Sequence, residues 1–384
     1  MYFMIKKNNI NSNNFIMVLF WLLFAFFSAY EGYLPSGIGG LTRYIIIVWV
    51  IYMALILKRK MLKVTYPQFA MIIWLFYYLC SIGWSKNVGQ AKVYIFTISL
   101  MVLVYIMTQY FSYTGDMIKT ILVIYKYISC SLALLSVFFY TYIGAGTRRV
   151  LYIFDMYMDP NNQVAILSIG SGLCLLGILS GSYIKRLIDL SGYLVSVYSI
   201  FQCGSRSGIV ILAIQIIIVM LFWHPQNNNI FKEIIKWIII VFSGIIAIYF
   251  LSQYISGDVI DRLFGRGNLK FTDGTEREER WDIGIKYFLS SPVFGNGWGS
   301  FECHNTFLTM LVDVGIFGNI FFYYIIIRTF CKAINGRYIY ALMLLLSGLV
   351  PSFFIGAQNK RFFWSAIILA SIIVDCKKEK NIND

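Results

Sequence analysis

Along most of this chain, stretches of about twenty residues pass with almost no charge before a short polar turn reverses the direction. A helix needs about 20 apolar residues to cross a hydrocarbon layer. Inside that layer the backbone can hydrogen-bond only to itself, which leaves helices or closed barrels as the spanning forms. Twelve such runs are centred near Leu22, Trp49, Trp74, Leu100, Leu132, Leu173, Leu194, Ile214, Ile240, Phe317, Leu345 and Ile368. With 59% of 384 residues hydrophobic and 13% charged, the chain has more apolar surface than one water-soluble core can hide. The predicted fold class is all-α, a polytopic integral membrane helix bundle of about 12 transmembrane helices. It forms one transmembrane domain over residues 1–384, with no soluble domain boundary and no internal repeat.

Orientation is read from the cations between the runs, because cytoplasmic loops retain Lys and Arg. With the N-terminus inside, 17 Lys and Arg residues fall on the inner side against six acids, while the outer loops hold 14 cations against 11 acids. Both termini are therefore expected to be cytoplasmic. Much of the net charge of +14 is topology signal and implies no nucleic-acid partner. The first run follows Lys6 and Lys7 as a signal peptide would, but it ends in bulky Phe26 and Phe27 and reads as an uncleaved signal anchor.

Most connections are short, so neighbouring helices pack as hairpins. Two outer loops are longer, one over residues 142–162 and the main one over 252–303, and loops of that length tend to carry function. Within the second, Thr275-Glu-Arg-Glu278 has the form of a capping box. Trp281, Ile285, Phe288 and Leu289 recur at helical spacing until Ser291 and Pro292. The segment predicts an interfacial amphipathic helix starting at Glu276. Arg277 in its first turn, beside free backbone N–H groups, suits a phosphate; a solvated charged face explains the same spacing.

His304 is one of two histidines and lies at the outer mouth of the run containing Phe307, Leu308 and Leu311. An unperturbed imidazole exchanges protons near neutral pH, though a lone histidine at a helix end also serves as an interfacial residue. Arg206, in the hairpin Gly204-Ser-Arg-Ser-Gly208, either snorkels to headgroups or meets an anion at the membrane plane. Arg148 and Arg149, ahead of Asp159-Pro160-Asn161, give the first long loop a similar character. Asp313 is about 13 Å deeper than His304 on a regular helix, so it bonds a neighbouring helix and is no direct partner of the imidazole. Gly295-x-Gly297-x-Gly299 follows no strand and reads as a flexible approach to the tenth run, not a nucleotide loop. Cys203 and Cys303 approach the outer face, where a disulfide is one option. The outer loops hold no Asp-x-Asp pair and no carboxylate cluster, so neither a metal nor a cofactor is expected.

These motifs resemble the O-antigen polymerase and O-antigen ligase superfamily of bacterial membrane glycosyltransferases. The resemblance rests on Gly295, Gly297, His304, Asn305, Leu308, Asp313, Gly315 and Gly318, on Arg277 with Trp281, on Ser205 to Gly208, and on Pro160 with Asn161. Aspartate stands at 313 where glutamate is commoner, and the residues before Arg277 leave open whether Arg277 or Arg280 is the equivalent arginine. The resemblance implies glycan transfer from an undecaprenyl-diphosphate carrier on the periplasmic face of the inner membrane, with inversion and without a metal. His304, Arg277 and Arg206 would be catalytic, and Arg280, Arg149, Asn161, Asn305 and Trp281 would bind substrate. The expected function is polymerase of lipid-linked repeat units, with ligation of the polymer to lipid A core as the alternative and a lipid-oligosaccharide flippase less favoured. A chain-length regulator protein is an expected partner.

Overall fold

A computed structural model describes residues 12–35, 40–57, 63–143, 146, 148–180, 182–222 and 277–376. The predicted run near Ile240, His224 and the main loop up to residue 276 lie outside the described residues. Twelve α-helices and three short strands are described. The helices are α1 (Ser12–Tyr30), α2 (Leu41–Leu57), α3 (Tyr66–Cys80), α4 (Val88–Thr108), α5 (Gly115–Phe138), α6 (Pro160–Ser180), α7 (Tyr183–Gln202), α8 (Arg206–Phe222), α9 (Arg277–Ser290), α10 (Thr306–Asn335), α11 (Ile339–Ser352) and α12 (Arg361–Asp375). Five segments, built on α1, α3, α5, α6 and α10, are long and apolar enough to cross a membrane. Shorter apolar helices lie at Leu41–Leu57, Tyr94–Thr108, Arg206–Phe222 and Ile339–Ser352.

Helices α6, α11 and α12 are largely buried, and α6 touches α5, α7, α8, α11 and α12. Small residues on α6 let its neighbours approach closely, the usual condition for helix packing in an apolar medium. They also carry polar groups that need partners. Gln215 of α8 donates to the Ser168 carbonyl (2.6 Å) and to Ser347 Oγ of α11 (2.9 Å), and Ser171 Oγ donates to Gln215 Oε1 (3.0 Å). Between α5 and α7, Lys126 Nζ meets Asp189 Oδ1 at 2.5 Å. Asp189, one of the six acids counted on the inner side, is buried, where Lys126 on the facing helix neutralises it.

The first long loop corrects the all-α expectation. It folds as an antiparallel sheet of β1 (Tyr140–Ile143), β2 (Arg148–Ile153) and β3 (Met156–Tyr157). Tyr, Thr, Ile and Val dominate these strands, the residues that suit a half-buried pleat. Gln163 of α6 ties the sheet down: its Oε1 accepts from the Leu151 N–H and from Tyr33 Oη, both at 3.2 Å. The same end of the bundle holds the Glu31–Arg361 ion pair, and at the opposite end Asp375 binds Arg328 (3.0 and 2.8 Å) and Lys332 (2.7 Å).

At the sheet end α10 is broken. Gly315 sits at φ 63°, ψ −169°, which interrupts the helix and strips hydrogen bonds from its backbone. Residues 292–297 replace them: the amides of Asn296 and Gly297 donate to the carbonyls of Val312 (2.8 Å) and Asp313 (2.9 Å), and those of Ile316 and Phe317 donate to Pro292 (2.9 Å) and Val293 (3.0 Å). Asn319 Nδ2 donates to the Met310 and Gly315 carbonyls, both at 2.8 Å. The glycine run is thus a fixed insert in the helix break, not the flexible approach expected. A Cβ at Gly295 would run into the Asp313 carbonyl oxygen, and one at Gly315 into that of Val293.

Candidate active site

Three guanidinium groups from three separate elements lie within electrostatic reach of one another at the sheet end. Arg148 opens β2, Arg206 is the first residue of α8, and Arg277 is the first of α9. Burial first, then the like charge of Arg148 and, more weakly, that of Arg206, pull the Arg277 guanidinium below its ordinary pKa, while Asp159 opposes them. Arg148 is depressed in the same way, first by burial and last by Arg206, again with Asp159 acting in opposition. Among the described residues, these like-charged groups share a half-buried region in which Asp159 is the acid that acts on Arg148 and Arg277.

Local structure explains how each arginine is held. Asp159 Oδ1 caps α6 by accepting from the amides of Asn161 (2.9 Å) and Asn162 (3.3 Å). Asn161 is buried; its Nδ2 donates to the same Asp159 oxygen (3.1 Å), and its Oδ1 accepts from Ser205 Oγ (2.7 Å). That last bond fixes the hairpin carrying Arg206, where Gly204 adopts φ 59°. Asn161 therefore positions an arginine rather than offering its side chain outward.

Helix α9 links this cluster to the histidine. Arg277 stands at its start, Arg280 acts electrostatically on the Cys303 thiol, and Gly284 packs so closely on Cys303 that a Cβ there would crowd its sulfur. From residue 277 to residue 284 is about 10 Å along a helix and returns to the same face. The residue after Cys303 is His304, at φ 50°, with its side chain 45% exposed and its Nδ1 4.0 Å from Glu302 Oε1. Burial raises the Cys303 thiol to about 12, and Cys303 and Cys203 are both free, so the optional disulfide is not formed.

The remaining predicted residues fall into different roles. Arg277 belongs to the guanidinium cluster, whereas Arg280, one turn on, faces the Cys303 side. Arg149 is turned away: its guanidinium lies 3.3 Å over the Tyr140 ring and donates to the Val137 carbonyl (2.6 Å). Its neighbour Arg148 takes the place expected of it, because successive strand residues point to opposite faces. Asn305 caps α10, its Oδ1 accepting from the amides of Phe307 and Leu308 at 3.1 Å each. Trp281 is half-buried, with Nε1 enclosed and without a hydrogen-bond partner. Asp313 bonds a neighbouring helix, accepting from Tyr78 Oη of α3 (2.6 Å) and from the Gly299 amide (3.0 Å). Sequence reasoning missed Glu302; a carboxylate two residues before the histidine was its only signal.

Compared with known families, the segment that carries Arg206, Arg277, His304 and the broken helix is the part that matches. Residues 191–323 match the O-antigen ligase family model. That match is consistent with the superfamily that the motifs resemble. The match supports a function of the O-antigen ligase and polymerase type, carried out by membrane glycosyltransferase-like enzymes on lipid-linked sugars. With the apolar helices it indicates a multi-pass bacterial membrane protein. No curated protein matches the sequence.

Proposed function

We propose that this protein is a polymerase that joins lipid-linked oligosaccharide repeat units into a surface polysaccharide, with the sheet end of the bundle facing the periplasm across the inner membrane. The reading rests on one observation above all: Arg148, Arg206 and Arg277 share one place, and the helix that supplies Arg277 packs on the residue next to His304. A diphosphate leaving group needs countercharge that grows in value as the sugar–phosphate bond breaks. Guanidinium groups held in place by the fold give that without reorganisation, and losing one such donor costs about 10² to 10³ in rate.

In the proposed reaction an acceptor sugar hydroxyl attacks the anomeric carbon of the donor glycan. The new glycosidic C–O bond forms as the bond to undecaprenyl diphosphate breaks, with inversion at that carbon. His304 takes the hydroxyl proton, general-base help worth about 10² to 10⁴, and the arginines hold the departing diphosphate. Cleavage of the activated linkage drives the step, so no nucleotide, metal or other cofactor is needed. A protein that sets chain length would act on this enzyme from outside the site.

The match to the O-antigen ligase family favours a second reading, ligation of a finished polymer to lipid A core. Chemistry and site are the same in both, and only the acceptor differs. Deleting the gene separates them: a polymerase leaves core molecules with a single repeat unit, a ligase leaves core with none. Restoring His304→Ala in place of the wild-type gene should reproduce the deletion phenotype, and normal polymer from that strain would refute the assignment.

A further inference from the structure

The site proposed above would hold a diphosphate, and the groups assigned to it leave the sugar to other residues. The sheet supplies what is missing. Alternate residues of β2 share a face, so Arg148, Val150 and Tyr152 point the same way. Tyr157 of β3 stands directly opposite Tyr152 in the register and lies on that face too. Arg149 and its partner Tyr142 lie on the reverse face, where Arg149 covers Tyr140. One face of the sheet therefore carries a guanidinium of the cluster at one end and two tyrosines at the other, about 13 Å apart along the strand, with Val150 buried between them.

Tyr152 and Tyr157 are 38% and 54% exposed despite their size. Tyr152 Oη donates to Asp155 Oδ1 (3.1 Å), which sets a carboxylate beside the ring. Asp155 and Phe154 form the two-residue turn between β2 and β3, both at positive φ (58° and 51°). Asn-Gly adopts that turn readily, and a bulky residue there is an outlier; Phe154 is nonetheless present and 68% exposed. Flat aromatic faces with an adjoining carboxylate match a carbohydrate, whose ring C–H bonds stack on aromatic faces while its hydroxyls donate to the carboxylate.

We infer that Tyr152, Tyr157 and Asp155 form a carbohydrate-binding platform that receives the glycan of the lipid-linked donor while Arg148, Arg206 and Arg277 hold its diphosphate. This rests on the proposed function for the identity of the donor. Tyrosines at an apolar end can instead serve as an interfacial belt against lipid; here the carboxylate of Asp155 at the rings, on the sheet that also carries Arg148, favours the glycan.

The test uses full-length protein in nanodiscs and two probes, the lipid-linked repeat unit extracted from the deletion strain and undecaprenyl diphosphate without sugar. The double variant Tyr152→Ala/Tyr157→Ala should raise Kd for the glycosylated probe about tenfold, the loss expected from truncating well-packed aromatic anchors. Binding of the bare carrier should stay within about twofold, as for surface changes away from a contact. Tyr152→Phe/Tyr157→Phe, which keeps both rings, should restore most of the affinity and shows that the fold survives. Equal weakening toward both probes would assign the rings to lipid, and no weakening would leave them without a role; either result overturns the platform while the proposed function stands. Wild-type protein that binds the bare carrier but gains nothing from the sugar would do the same. Wild-type protein that binds neither probe would overturn the proposed function, and the platform with it.

Discussion

At the scale of single residues, Arg277 is the most informative group. Burial and two neighbouring cations depress it, yet an arginine starts from so high a value that it stays charged. A lysine starts near 10.4, and the same surroundings would push it lower. Arg277→Lys should therefore lose activity as pH rises through that depressed value, a descending limb absent from the wild type, and a matched pair of pH–rate profiles reads it directly. Even at neutral pH the variant loses the bidentate fork that suits phosphate oxygens, and unchanged turnover there would argue against direct contact. Because the cluster repels itself, an anion that binds only the folded state should stabilise it. Added inorganic pyrophosphate should raise Tm in the wild type, and less in Arg148→Ala. Of the two adjacent arginines, the sequence reading chose Arg149; strand alternation instead puts Arg148 on the side of Arg277, and seeing that needs the sheet to be known. Arg277 against Arg280 was open for the same reason, since both lie in the first turn of one amphipathic helix.

Among the elements, the broken α10 and its glycine insert form one unit. The amides of the insert complete the helix, and α3 with the short turn that follows it holds the insert from the other side: Ser81 Oγ accepts from the Trp298 amide (3.1 Å), Ser85 Oγ donates to the Trp298 carbonyl (2.6 Å), and Tyr77 Oη of α3 donates to the Phe294 carbonyl (3.1 Å). Asp313 joins both halves through Tyr78 and Gly299. Tyr78→Phe removes one bond to a buried carboxylate and should cost about 1–3 kcal/mol, visible as a lower Tm in detergent. Gly295→Ala should do more, because its left-handed backbone and the Asp313 carbonyl both resist a side chain; little folded protein should be recovered on size-exclusion chromatography. The C-terminal end of α9 was legible, at Ser290 just before the Ser291-Pro292 stop, since such a stop is a local signal. The insert was not legible, because its partners are backbone groups exposed by a helix break that only tertiary contacts create.

Across the whole molecule, apolar runs marked nearly every described helix, since the demand for internally satisfied backbone acts on each run separately. The sheet and the Lys126–Asp189 pair were hidden for opposite reasons. Strands Tyr140–Ile143 and Arg148–Ile153 are too short for their alternation to stand out, and the ion pair joins residues from different helices. That pair makes a stability prediction: Lys126→Met alone strands a buried carboxylate and should cost about 3–5 kcal/mol, whereas Lys126→Met with Asp189→Leu should be near neutral. Comparing the Tm values of the two variants with that of wild type decides it.

The most direct test of a guanidinium-and-histidine site at the sheet end is release of undecaprenyl diphosphate from lipid-linked repeat units by the purified protein in nanodiscs. Wild-type protein should release it together with longer glycan, and His304→Ala should bind the donor with wild-type affinity while turnover falls by about 10² to 10⁴. Full turnover by His304→Ala would contradict the account.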